Sequence, residues 1–173
     1  LYSVGYQIGM VILVYSDAFA KAWGPWFFSM LIDDKKMENR NKIVIVTYLF
    51  IISLFVLSIV VAFVSHFIFG SIIDSRYSES GGFVLLICLS YSVNGVYKMC
   101  FFYLIKTDNT SYLALSTGVS AVINLILNYV FIKSFGAIGA AYATLLSYSI
   151  NSFLVFVKQQ KVYPMPWFGK YAK

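Results

Sequence analysis

Charge is what this sequence has least of. Only 12% of its 173 residues are Asp, Glu, Lys or Arg, against about 25% in an ordinary soluble domain. A disordered chain needs the opposite balance, high charge and low apolarity, so that class is excluded as well. Histidine is nearly missing, with His66 the single one, and there are seven acids, three of them (Asp33, Asp34, Glu38) in one connection. That is little material for acid–base chemistry. The two cysteines, Cys88 and Cys100, share one apolar stretch. Twelve residues along a helix separate them by about 18 Å, beyond disulfide reach, and no metal-ligand spacing surrounds them. No glycine-rich loop ending in Lys-Ser/Thr precedes a helix, which excludes a Walker-type nucleotide site. We expect no catalytic residue, no metal and no cofactor: the chain is read as a non-enzyme.

Apolar sequence is what is there. Hydrophobic residues make up 60% of the chain and the mean hydropathy is +0.79. A membrane-spanning helix needs ~20 largely apolar residues. Five stretches meet that length: about 3–31, 43–65, 83–105, 112–132 and 137–157. Each is too long for a barrel strand of ~10 residues, and none alternates strictly. The expected fold class is an all-α integral membrane protein with about five transmembrane helices. Residues 1–160 form the helical bundle, and 161–173 a basic cytoplasmic tail along the interface. Asp17 and Lys21 interrupt the first stretch, and Pro25 is expected to kink or break it. In the Lys133–Gly136 turn (KSFG), Gly136 is available for a left-handed helix cap. The chain enters apolar sequence at Leu1 without a basic leader or a cleavage site; we expect a fragment preceded by further helices.

The net charge is +6. The basic residues flank apolar segments rather than forming a patch interleaved with aromatics, so membrane lipid is the expected partner and nucleic acid is not. Alternate connections lie on opposite sides of a membrane. One set carries Lys35, Lys36, Arg40, Lys42, Lys106, Lys158, Lys161, Lys170 and Lys173, and the other carries Arg76 and Lys133. The richer side is expected to be cytoplasmic, which puts the C-terminus inside.

Polar residues inside spanning helices require a reason. Asp17 and Lys21 lie four apart on one face. Either they form a self-neutralising pair, or they line a hydrated pathway and meet a charged substrate or coupling ion. Ser90, Asn94 and Lys98 repeat that spacing on the third helix, where Lys98 can snorkel to the interface or face a cavity. Ser116, Ser120, Asn124 and Asn128 form a stripe on the fourth. Interhelical hydrogen bonding explains such a stripe; for Asn124 and Asn128 a hydrated pathway is the alternative. Gly139, Ala143 and Ser147, continued by Asn151, make a small-residue seam for close helix packing. Aromatics near helix ends, with Trp23, Trp26 and Trp167, fit interfacial belts.

The run Ala18–Phe28 (AFAKAWGPWFF), the run Asn124–Tyr129 (NLILNY) and the block Lys133–Thr144 (KSFGAIGAAYAT) together resemble the Wzx-type O-antigen and capsular polysaccharide flippases. These lie within the multidrug/oligosaccharidyl-lipid/polysaccharide exporter superfamily. The resemblance covers most of residues 1–160. It implies the last five helices of a twelve-helix transporter made of two bundles, in the bacterial cytoplasmic (inner) membrane. The implied activity is flipping of an undecaprenyl-diphosphate-linked oligosaccharide by alternating access. Lys21 is the implied contact for diphosphate or acidic sugars, with Asp17 as its partner or as a proton or cation site. Other glycan-assembly membrane proteins are possible partners. A cation-coupled multidrug exporter of the same superfamily, a membrane enzyme of glycan assembly and a scaffold subunit are the competing readings.

Overall fold

The computed structural model describes residues 2–32, 37–71 and 80–167. Five helices follow one another: α1 Tyr2–Met30, α2 Met37–Ser71, α3 Ser80–Lys106, α4 Thr110–Phe135 and α5 Ile138–Val162. No strand occurs among the described residues. This is an all-α membrane protein. Lys35, Lys36, Arg76, Lys170 and Lys173, all used in the charge reading, lie outside the described residues.

α2, α3, α4 and α5 are long and apolar enough to cross a membrane. α1 is not among these four, although its 29 residues would reach about 44 Å. The chain has the five helices expected, and four of them meet that measure among the described residues. Asp17 and Lys21 explain the difference, because each charge offsets several apolar residues. Pro25 does not break α1, which continues through it to Met30. Phe27 beyond the proline is fully buried and packs edge-on to Tyr103 with ring centroids 4.6 Å apart, which anchors the last turn.

α3 is the hub and packs against α1, α2 and α5, while α4 packs mainly on α5. α4 is inverted relative to a helix of a soluble bundle. On α4 the buried residues are Leu113, Ser116 and Ser120, while Leu125 and Tyr129 are 71% and 74% exposed. Lipid removes the hydrophobic reason to bury large side chains, so small and polar residues take the helix–helix contacts instead. Several of these hydroxyls are satisfied locally: Thr47 Oγ1 donates to the Ile43 carbonyl at 2.8 Å and Ser90 Oγ to that of Leu86 at 2.7 Å. Others tie helices together. Ser58 and Ser92 join α2 to α3 at 2.7 Å, Ser152 donates to the Val93 carbonyl at 2.8 Å, and Tyr15 and Ser53 join α1 to α2 at 2.9 Å.

Most of the buried apolar side chains gather toward one end, where α1 and α3 finish, α2 begins and α5 delivers the residues after it. Trp23 and Trp167, read from the sequence as interfacial, are buried there (3% and 8% exposed). The segment after α5 folds back on the bundle: Trp167 Nε1 donates to Gln159 Oε1 at 3.3 Å, and the Tyr48 hydroxyl donates to the Trp167 carbonyl. Up to Trp167, then, the expected tail is packed structure, with Met165 only 1% exposed. Its aromatic rings, Trp167 against Tyr48, Tyr103 and Phe156, fill the gap between α2, α3 and α5. The same end carries Arg40, 5.3 Å above the Tyr163 ring, and Lys158, 5.3 Å from that of Tyr112.

The turn between α4 and α5 uses Gly136 as expected, with a different conformation. Its φ is 65° and its ψ −149°, outside the left-handed helical well and in a region essentially restricted to glycine. Its N–H donates to the Ile132 carbonyl at 2.9 Å. A Cβ there would meet nothing within 4 Å, so the penalty for a side chain is purely backbone strain. Gly136→Ala should cost about 1–3 kcal/mol, read as a lower melting temperature of the purified protein. An unchanged melt would show that the turn relaxes.

Candidate functional site

Two polar regions lie within the bundle. The first is an intramembrane ion pair. Lys98 Nζ on α3 meets Asp17 Oδ1 on α1 and donates to Ser16 Oγ at 2.8 Å. The lysine side chain is 16% exposed and the aspartate 51%. Asp17 is therefore paired across helices with Lys98, and not along α1 with Lys21 as one sequence reading had it. A side chain four residues along one helix competes poorly with a lysine that the α1–α3 contact places directly opposite. Lys98 does not snorkel; it points at α1. Lys21 is exposed and lines an open recess of about 470 Å³ with Asp17, Gly24, Pro25, Phe28 and Phe102. Pro25 thus belongs to the recess wall rather than to a packing seam.

The second region is a cavity of about 490 Å³. α1 contributes Tyr6. α3 contributes Asn94 and Tyr97. From α4 come Thr117, Ser120, Ala121 and Asn124, and from α5 Thr144, Ser147, Tyr148 and Asn151. Five hydrogen-bonding residues singled out from the sequence converge here: Asn94 from α3, Ser120 and Asn124 from α4, and Ser147 and Asn151 of the α5 seam.

The α4 stripe meets the α5 seam directly. Asn124 Nδ2 donates to Ser147 Oγ at 3.2 Å, and Ser147 in turn donates to the Ala143 carbonyl at 2.7 Å. Asn128 stands outside the cavity. Its Nδ2 donates to the carbonyl and to Oδ1 of Asn124, each at 2.9 Å, which fixes the orientation of the Asn124 amide. Gly139 and Ala143 of the seam are both buried. A Cβ on Gly139 would fall 2.2 Å from the Phe131 carbonyl oxygen.

The sequence reading missed Tyr6, Tyr97, Thr117, Thr144 and Tyr148. Four of these sit three residues from one it did single out (Tyr97 after Asn94, Thr117 before Ser120, Thr144 before Ser147 and Tyr148 before Asn151), so extending each stripe to its neighbours on the same face would have found them. Tyr6 has no such signal, because only the α1–α3 packing brings it to the cavity. That packing rests on a Gly5-xxx-Gly9 spacing, where a Cβ on Gly9 would fall 2.5 Å from Ile87 Cγ2. Among the described residues no three His, Cys, Asp or Glu side chains converge as a metal site requires.

A stretch of 41 residues, 24% of this chain, is 54% identical to the probable low-salt glycan biosynthesis flippase Agl15 of Haloferax volcanii. The matched stretch covers 9% of that protein's length. No protein-family model matches the chain, and no solved structure matches it.

Proposed function

We propose that this chain is one bundle of a membrane transporter that moves a lipid-linked glycan from the cytoplasmic to the opposite leaflet for surface polysaccharide assembly. The observation that carries the reading is the polar cavity walled by α1, α3, α4 and α5, inside a bundle whose outer surface is apolar. A structural bundle has no reason to keep such a space, and a transporter requires one near the middle of the membrane. The likeness to a glycan biosynthesis flippase supports the choice of cargo. The basic end, with Arg40, Lys106 and Lys158, faces the cytoplasm in this reading. An undecaprenyl-diphosphate carrier, an O-antigen or capsular glycan and a bacterial inner membrane are its specific form, and alternating access its mechanism.

In this reading Lys21 meets the diphosphate of the carrier. It is exposed, and the salt bridge of Asp17 is made with Lys98. Its ammonium therefore stands beside an aspartate whose charge is already partly compensated, in a recess otherwise walled by apolar residues. Lys21→Ala in the full-length protein should lower glycan export several-fold while the amount of protein in the membrane stays near wild type. That follows because an exposed lysine contributes within about 0.5 kcal/mol to stability. Equal losses of export and protein would make the residue structural. Reconstituted vesicles that fail to move any lipid-linked glycan would overturn the proposal as a whole.

A further inference from the structure

Resting on the glycan-transport reading, we infer that the α1/α3/α4/α5 cavity is a subsite for an uncharged sugar unit, and that it selects against acidic ones. All eleven residues lining it are uncharged. The nearest basic group on α3, Lys98, is turned toward α1 and engaged by Asp17 and Ser16. A carboxylate placed in the cavity would find no cation, and an uncompensated charge in a low-dielectric site is strongly disfavoured.

The wall is incomplete in a way that calls for a hydroxyl-bearing ligand. Ser120 and Asn151 are each 6% exposed, yet Ser120 Oγ and Asn151 Oδ1 have no hydrogen-bond partner among the described residues. Both belong to residues of the cavity wall. Buried polar atoms are normally satisfied, so these two leave hydrogen-bonding capacity unused in residues of the wall, ten of whose eleven members carry a hydroxyl or an amide. Asn94, half-buried on the facing helix, makes no side-chain hydrogen bond to another described residue. The wall also carries three aromatic residues, Tyr6, Tyr97 and Tyr148, a residue type that stacks on the C–H face of a pyranose. The volume of about 490 Å³ lies in the usual range for a small-molecule site. It holds a mono- or disaccharide.

The test uses the intact protein in lipid nanodiscs, with maltose and a disaccharide ending in glucuronic acid as probes, followed by saturation-transfer NMR. Maltose is expected to bind, and the acidic sugar at least tenfold more weakly. Ser120→Ala and Asn94→Ala should each weaken maltose binding about three- to tenfold, the worth of one hydrogen bond. Their melting temperatures should stay at or above wild type, because neither side chain satisfies anything within the fold. A purely structural role would instead lower the melt. Equal binding of the two sugars overturns the selectivity. No maltose binding, maltose binding unaffected by both variants, or affinity lost only together with thermal stability overturns the site. Transport separates this inference from the reading beneath it. If vesicles carry neutral and acidic lipid-linked glycans equally well, the inference fails and the transport reading stands. If they carry neither while maltose still binds, the transport reading fails and the sugar site stands.

Discussion

Replacing Gly139 by alanine should destabilise the protein measurably, and replacing it by leucine should remove most of it from the membrane. The added Cβ would lie 2.2 Å from the Phe131 carbonyl oxygen and 2.7 Å from the Ile132 nitrogen. Both are backbone atoms, so no side-chain rotation relieves the clash. α5 must move away from α4, and that opens the seam carrying the Asn124–Ser147 hydrogen bond. Overpacking of this kind costs about 1–3 kcal/mol for a small group and exceeds 4 kcal/mol where the backbone cannot yield. Gly118 on α4 is the control, because a Cβ there meets nothing within 4 Å. Gly118→Ala should be neutral or stabilising by up to about 1 kcal/mol, through reduced backbone entropy. Thermal melts and the recovery of monodisperse protein after extraction read both variants. Gly139→Ala melting like wild type would mean that the two helices do not approach this closely in the membrane.

The second large effect concerns the Asp17–Lys98 pair, where the two single neutralisations should differ. Asp17→Asn strands a lysine that is 16% exposed, whereas Lys98→Met strands an aspartate that is half-exposed. Removing one partner of a buried pair costs up to about 3–5 kcal/mol. That range applies to Asp17→Asn, and Lys98→Met should cost distinctly less. The double variant Asp17→Asn/Lys98→Met leaves no stranded charge and should recover most of the lost melting temperature. Transport then decides between the two roles of the pair. A double variant restored in both stability and glycan export makes it structural. One restored in stability alone makes the charges part of the transport cycle. Single variants of equal, negligible effect would show that the pair is not formed.

Both predictions rest on a cross-helix contact, which marks the boundary of what was legible beforehand. The Ser116–Asn128 stripe and the Gly139–Asn151 seam could be read because helical spacing alone puts their members on one face. The partner of Asp17 could not. Helical spacing offered Lys21 on the same helix, and only the α1–α3 packing brought Lys98 to Asp17. The burial of Trp23 and Trp167 could not be read either: a tryptophan near a helix end suits an interface, and whether another segment covers it depends on how the chain folds back.

The sequence by itself determined the class of molecule, the number and approximate extent of its helices, the turn that needs a glycine and the faces that carry polar groups. These follow from local rules of hydropathy, periodicity and backbone conformation. Only the tertiary structure decided that Asn94, Ser120 and Asn124 share one cavity, that Lys98 neutralises Asp17, and that the residues after α5 close one end of the bundle. Within a membrane, water exerts no pull that sorts residues into core and surface. Which helix faces which is fixed by close fit and hydrogen bonding between side chains far apart in the chain, and no local pattern encodes that.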